Sequence, residues 1–332
     1  MAGYYGTLLN HSNKVKRINE GAAYGGEFFV LRQTYGENAW NEFFNNPAFG
    51  ISYLLLDTGS PSYTGYSHCL IPFAEFHLLN NQKPFNLNLR LGCGVGYVEK
   101  IYDRDTNPLN LAIGSHFNAA VNVQLQATYR CKDWSLFAGG GINHLSNGVF
   151  RIPNAGLNVL TAFAGFNYPF TKERNSVNTK TTKRFNTRNW EKAILLVSGM
   201  KSHGFEQKAI YPAGATFELS KRHLDYTRFA ATFDLIYDES DYYSLAFLPE
   251  YPNYRYEYVK AGFSVGYHLV FHRVSAIFNV GAYLNSKNEV YGKVYQRTGF
   301  RYQLTDHLCA HAQLRYQRAH ADFVELALGY NW

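Results

Sequence analysis

His144 and Ser146 stand two residues apart in INHLSNGVFRIPNAGLN, Ile142 to Asn158, and Asn158 closes the stretch. A serine hydroxyl within reach of an imidazole, with a third polar group to orient the ring, is the set that nucleophilic acyl transfer needs. Asn serves as that third member in Cys-His-Asn proteases. The plain alternative is a polar turn. Asn, Gly and Pro are turn formers, and a His two residues before a Ser arises by chance in many chains. Which elements carry these residues decides between the two.

Those elements are long alternating strands. In HFNAAVNVQLQATY, Phe117, Ala119, Val121, Val123, Leu125, Ala127 and Tyr129 share one face, while the other is nearly all Asn, Gln, His and Thr. NLNLRLGCGVGYV repeats the pattern, with Leu87, Leu89, Leu91, Cys93, Val95 and Tyr97 on one side. Strict alternation marks a strand with one apolar and one polar face. These runs exceed the usual strand of about 5–6 residues and reach the about 9–11 that cross a tilted bilayer. Similar runs recur along the chain to Phe323–Trp332, about fifteen in all, with Tyr4–Asn10 as a candidate for one more. Bacterial single-chain barrels have even counts.

Composition agrees. The mean hydropathy is −0.30, and no run of 18 apolar residues exists, which excludes an ordinary transmembrane helix. A transmembrane β-barrel combines both properties, because lipid-facing and lumen-facing residues average out. The expected fold is therefore all-β, a transmembrane antiparallel barrel of about 14–16 strands, with two tandem eight-stranded barrels as the alternative. Residues 1–170 form the first half and 189–332 the second, a candidate distant duplication. Between them, 171–188 (TKERNSVNTKTTKRFNTR) read as a polar basic linker or loop.

The net charge of +7 suits anionic partners such as lipid phosphates. No basic, aromatic-interleaved cluster points to nucleic acid. No phosphate loop, zinc signature or cofactor motif is present, so no cofactor and no metal are expected. His68, His77 and His116 are expected at the lumen or rim, and Asp57, Asp103 and Asp105 at turns. Four cysteines lack a C-x-x-C pair. Cys69 and Cys93 either approach across a hairpin near Asn81, as a disulfide, or are small apolar side chains facing lipid. The N-terminal MAGYYGTLLNHSNK has no charged-then-apolar leader, so a barrel reading expects a signal peptide outside this chain.

The opening hairpin can now be placed. Trp134, Leu136, Ala138, Gly140, Ile142, His144 and Ser146 share parity, as do Asn158, Leu160, Ala162, Ala164, Phe166, Tyr168 and Phe170. Both sets are lipid-facing. A hairpin symmetric about Arg151 sets His144 opposite Asn158, about 4.5–5.5 Å apart at Cβ. Three polar groups then meet on the outer wall at one rim, where polar side chains are costly unless they serve something. The substrate of such a site would be a lipid beside the barrel.

These residues resemble a known family. His144-Leu145-Ser146-Asn147-Gly148 followed by Pro153-Asn154-Ala155-Gly156-Leu157-Asn158 is similar to the signature hairpin of the lipid A 3-O-deacylase (PagL, acyloxyacyl hydrolase-like) family, as are Asp103–Asn118 and Arg90–Tyr97. The likeness covers roughly 25–170. It implies an eight-stranded outer-membrane barrel whose active site faces lipid in the outer leaflet and hydrolyses an acyl ester of lipid A. It makes Ser146 the nucleophile and His144 the general base, with Asn147, Asn154 and the Gly148 amide positioning the substrate or its oxyanion. The family's acid is Glu where this chain has Asn158. An amide orients the imidazole but supplies no charge, which puts activity itself in question.

Two functions compete. One is an outer-membrane lipid A or lipopolysaccharide esterase. The other is a non-catalytic barrel of the same fold, a subunit or scaffold partnered by other envelope proteins. A pore ranks third, on lumen-side residues such as Arg90, Gln124, Gln126, Arg297 and Arg301.

Overall fold

The computed structural model describes residues 1–79, 84–170, 190–204, 207–224, 226–245, 258–285, 292–318 and 320–332. The expected linker at 171–188 lies outside them. The chain divides into two compact units, one carrying eight strands and the other nine.

The first unit comprises β1 (Ala2–Leu8), β2 (Ala22–Gln33), β3 (Ala48–Asp57), β4 (Tyr66–His77), β5 (Phe85–Val98), β6 (Phe117–Arg130), β7 (Ser135–Ser146) and β8 (Leu157–Asn167). Each pairs antiparallel with the next, and β1 also pairs with β8, from Ala2 opposite Gly165 to Leu8 opposite Val159. The sheet is thus a closed barrel of eight. The second unit comprises β9 (Trp190–His203), β10 (Lys208–Ile210), β11 (Ala213–Leu224), β12 (Thr227–Tyr237), β13 (Val259–Phe271), β14 (Val274–Tyr283), β15 (Val294–Gln303), β16 (Leu308–Gln317) and β17 (His320–Asn331). β9 pairs with both β11 and β17, closing a second ring of eight, and the short β10 lies against β9 outside that ring.

The architecture is therefore the tandem pair, and the single barrel of about 14–16 strands is not formed. The physical reason is a choice of partner. In one large barrel β8 would hydrogen-bond to β9. Instead β1, a strand of only seven residues, supplies the missing edge and satisfies β8. Closure removes every open edge within eight strands.

Alternation drives both walls. In β6 the residues buried inside are Asn118, Asn122, Gln124, Gln126 and Thr128 with Ala120, while Phe117, Val123, Leu125 and Tyr129 are exposed. Leu70, Val95, Leu136 and Leu160 continue this apolar outer surface in the first barrel, and Leu196, Phe263, Val280, Leu326 and Leu328 make that of the second. A wall bathed in hydrocarbon requires this. Among the described residues no helix is long and apolar enough to cross a membrane. Cys69 is buried and Cys93 exposed, on opposite faces of the sheet, and both are free thiols, so no disulfide joins them.

The lumens are filled. In the first barrel Arg90 lies 2.9 Å from Glu27, with its guanidinium 3.4 Å above the Phe73 ring centroid. Tyr4 donates to Glu27 at 2.8 Å, and Gln124 donates to Tyr4 at 3.0 Å. In the second, Arg297 pairs with Asp234 at 3.0 Å, Arg315 with Glu325 at 2.9 Å and Arg301 with Glu218 at 2.5 Å. The arginines named as channel lining are thus ion-paired in packed interiors, which argues against a water-filled pore.

Replacing Glu27 with alanine strands the Arg90 charge in that interior. We expect a loss of about 3–5 kcal/mol, measured as the shift of the denaturant midpoint in micelles. A loss below about 1 kcal/mol would show that Arg90 does not depend on Glu27.

Candidate functional site

The site lies at one rim of the first barrel, where β7 ends and β8 begins. Their register sets Leu145 opposite Leu157 and His144 opposite Asn158, as a hairpin symmetric about Arg151 requires. Alternation buries Asn143, Leu145 and Asn147, while His144, Ser146 and Asn158 are half-exposed on the outer face.

His144 Nδ1 lies 2.7 Å from Asn158 Oδ1. With Nδ1 as donor, Nε2 keeps its lone pair. Ser146 Oγ accepts from Asn154 Nδ2 at 2.8 Å, and Asn154 Oδ1 accepts from the Asn147 backbone N–H at 3.2 Å. His144 and Ser146 both lie beside Gly156. A Cβ built on that glycine would lie 3.2 Å from His144 Cε1 and 3.8 Å from Ser146 Cβ. Gly156 also has φ +78°, so its lack of a side chain serves both the turn and the space between imidazole and serine.

Asn147 differs from its neighbours. Its side chain points into the barrel and donates to Ser115 Oγ at 2.8 Å, so what reaches the outer face is its backbone N–H. Gly148 follows with φ +63°, and Val149 with φ +70°. The turn after the serine therefore holds two left-handed residues in a row, the second β-branched and strained.

A neighbouring loop holds the hairpin in place. Gly156 N donates to Ala112 O at 3.0 Å and Ala155 N to Leu111 O at 3.3 Å. Asn110 fixes that stretch: its Oδ1 takes the Ala112 and Ile113 N–H groups, and its Nδ2 donates to Tyr63 O at 2.9 Å. Ala112 and Ile113 are fully buried. The sequence marks this stretch only by its resemblance and assigns it no role. Sequence reasoning also misses Ser115 and His11. His11 Nδ1 lies 3.3 Å from Asn158 Nδ2, and only its place just after a strand that pairs with β8 could have signalled it.

The other polar candidates stand apart. His68 bridges Tyr53, at 2.7 Å, and Glu99, at 3.2 Å, on the outer wall. His77 is buried against Asn88 and Gln33. His116 stacks on Tyr97 and bonds Val98 O at 2.8 Å. Among the described residues no three His, Cys, Asp or Glu side chains are grouped to hold a metal.

Comparison with known proteins bears on this geometry. Residues 25–167 match the family model described as lipid A 3-O-deacylase (PagL), and residues 190–332 match that described as acyloxyacyl hydrolase, C-terminal domain. A search of curated proteins finds no match. Among solved structures, mutants of the Rhodopseudomonas blastica porin align over 100% of this chain and 98% of theirs. The first is 7% identical, and its TM-score of 0.19 is too low to relate the two folds.

The turn at Asp103 offers a check on the loop that supports the hairpin. The Thr106 N–H, then its hydroxyl and the Asp105 N–H, hold the Asp103 carboxyl below its ordinary value. Such a group steadies the turn above the unfolded pKa of about 3.9, and loses that effect as pH falls through its lower folded value. We expect carbon NMR to place the Asp103 midpoint below that of a free aspartate, with Thr106 amide protection lost over the same interval. A midpoint at or above the free value would contradict the turn.

Proposed function

We propose that this chain, which belongs to the lipid A 3-O-deacylase (PagL) family through residues 25–167, removes an ester-linked acyl chain from lipid A by a Ser146–His144–Asn158 mechanism on the lipid-facing wall of its first barrel. Family membership and the barrel fold fit the outer membrane. The observation that carries the mechanism is the 2.7 Å contact between His144 Nδ1 and Asn158 Oδ1, beside a serine on the same outward face.

On this reading the steps are those of a serine esterase. Asn158 Oδ1 holds the imidazole proton on Nδ1, so Nε2 takes the Ser146 proton as Oγ attacks the ester carbonyl carbon. The tetrahedral oxyanion is met by N–H donors: Asn154 Nδ2 beside Oγ and the Gly148 amide. Collapse breaks the ester C–O bond, and the imidazolium returns its proton to the leaving alkoxide. Water, deprotonated by the same imidazole, then attacks the acyl carbon; the bond to Ser146 Oγ breaks, the fatty acid leaves and the imidazolium returns its proton to Oγ. Asn147 contributes by orienting Asn154 through its backbone N–H.

Asn158 is also the observation that favours a second reading, a non-catalytic barrel partnered by other envelope proteins. A neutral amide orients His144 but leaves the imidazolium without a counter-charge. Mass spectrometry of lipid A from cells expressing wild type or Ser146→Ala separates the two. Loss of one ester-linked chain with the wild type alone supports hydrolysis. Identical spectra from two folded proteins favour the second reading.

For the purified enzyme, Asn154→Ala should lower kcat by about 100-fold or more, the usual cost of one oxyanion donor. Asn158→Glu should raise kcat by roughly tenfold, because a carboxylate both orients the ring and stabilises its charge. Turnover rates on lipid A in micelles measure both. No gain from Asn158→Glu would mean that imidazolium charge does not limit the reaction.

A further inference from the structure

Asn158 faces two imidazoles. Its Oδ1 lies 2.7 Å from His144 Nδ1 and its Nδ2 lies 3.3 Å from His11 Nδ1. His11 belongs to the segment after β1, whose backbone is pinned at the same residue: Leu9 N donates to Asn158 O at 2.8 Å. The two ends of an amide are alike in shape, and their partners decide which faces where. A base at His144 needs the oxygen end. That end keeps the proton on Nδ1 and the lone pair on Nε2. The reversed amide would set N–H groups against Nδ1, drive the proton to Nε2 and block uptake of the serine proton.

The surroundings of His11 select the amide orientation. Its Nε2 lies 3.1 Å from Ala155 O. A carbonyl only accepts, so this contact calls for a proton on Nε2, which would leave Nδ1 as an acceptor. That acceptor takes the Asn158 Nδ2–H. Leu9 O, 3.1 Å from Nδ1, calls for the proton there instead, but it already takes the His11 backbone N–H at 2.9 Å, and an Nδ1 proton would set two N–H groups against each other at Asn158 Nδ2. The order of control is then Ala155 O on His11, His11 on Asn158, and Asn158 on His144.

We propose that His11 is a positioning residue, which holds the Asn158 amide with its oxygen toward His144 and so sets the base in its working tautomer. This rests on the deacylase reading of Ser146 and His144. A carboxylate at 158 would need no such partner, since both its oxygens accept. An amide does need one.

The test uses the full chain in micelles as wild type, His11→Ala, Asn158→Glu and the double variant, with folding checked by heat-modifiable gel migration. On lipid A, His11→Ala is expected to lower kcat roughly tenfold with KM unchanged, and to cost less than about twofold in the Asn158→Glu background. An equal loss in both backgrounds overturns the proposal, because His11 would then act only by holding its loop. Nitrogen NMR of isotope-labelled histidine reads the tautomers without turnover. His144 should carry its proton on Nδ1 in the wild type and lose that preference in His11→Ala. An unchanged His144 tautomer also overturns the proposal. If the wild type does not act on lipid A, the deacylase reading fails, and the tautomers alone decide whether His11 orients the amide.

Discussion

Every backbone N–H and C=O inside a bilayer must find a partner within the protein, and a strand can meet that demand only in a closed ring. The rest of the structure depends on this constraint. Once the rings close, the two-residue period sends each side chain either to lipid or to lumen. The lumen side then has to satisfy its own polar groups. In the first barrel Glu27, Arg90, Tyr4 and Gln124 form one connected set that meets part of this demand. In the second, the arginines at 297, 301 and 315 each meet a carboxylate. The lipid side must be mostly apolar, and among the described residues large exposed hydrophobics line both walls, with polar groups gathered at the rims. His144, Ser146 and Asn158 are among these.

Much of this was legible in the chain. Alternation is a local property, so the strands could be read one by one, and β6 and β7 match their sequence runs closely. The opposition of His144 and Asn158 was legible for the same reason: parity sets the face, and a short hairpin sets the register. Closure was not legible. Whether β8 pairs with β1 or with β9 depends on two edges far apart in sequence, and alternation says nothing about which edges meet. The seven residues of β1 are also too few to announce a membrane strand.

The finer parts of the site were hidden for a related reason. In sequence Asn147 adjoins Ser146 at the site, yet the pleat that turns Ser146 outward turns the Asn147 side chain inward, to Ser115. His11 lies 147 residues from Asn158 along the chain. It arrives only because β1 completes the ring beside β8. The same closure that separates the two barrels therefore brings His11 to the hairpin. Residues supplied in this way leave no spacing signal, whereas those supplied by a single hairpin do.

The outward direction of His144 and Ser146, together with filled lumens, changes what concentration means for this protein. Nothing reaches that face through the barrel. On the lipid-facing reading it meets what diffuses sideways within the leaflet, and the governing quantity is a surface density rather than a molarity. Diluting the membrane with inert lipid would slow encounters at constant bulk amounts, and concentrating the suspension would leave them unchanged. Crowding among neighbouring barrels, which covers or exposes one side of a wall, would act on the same rim without any contact with its polar groups.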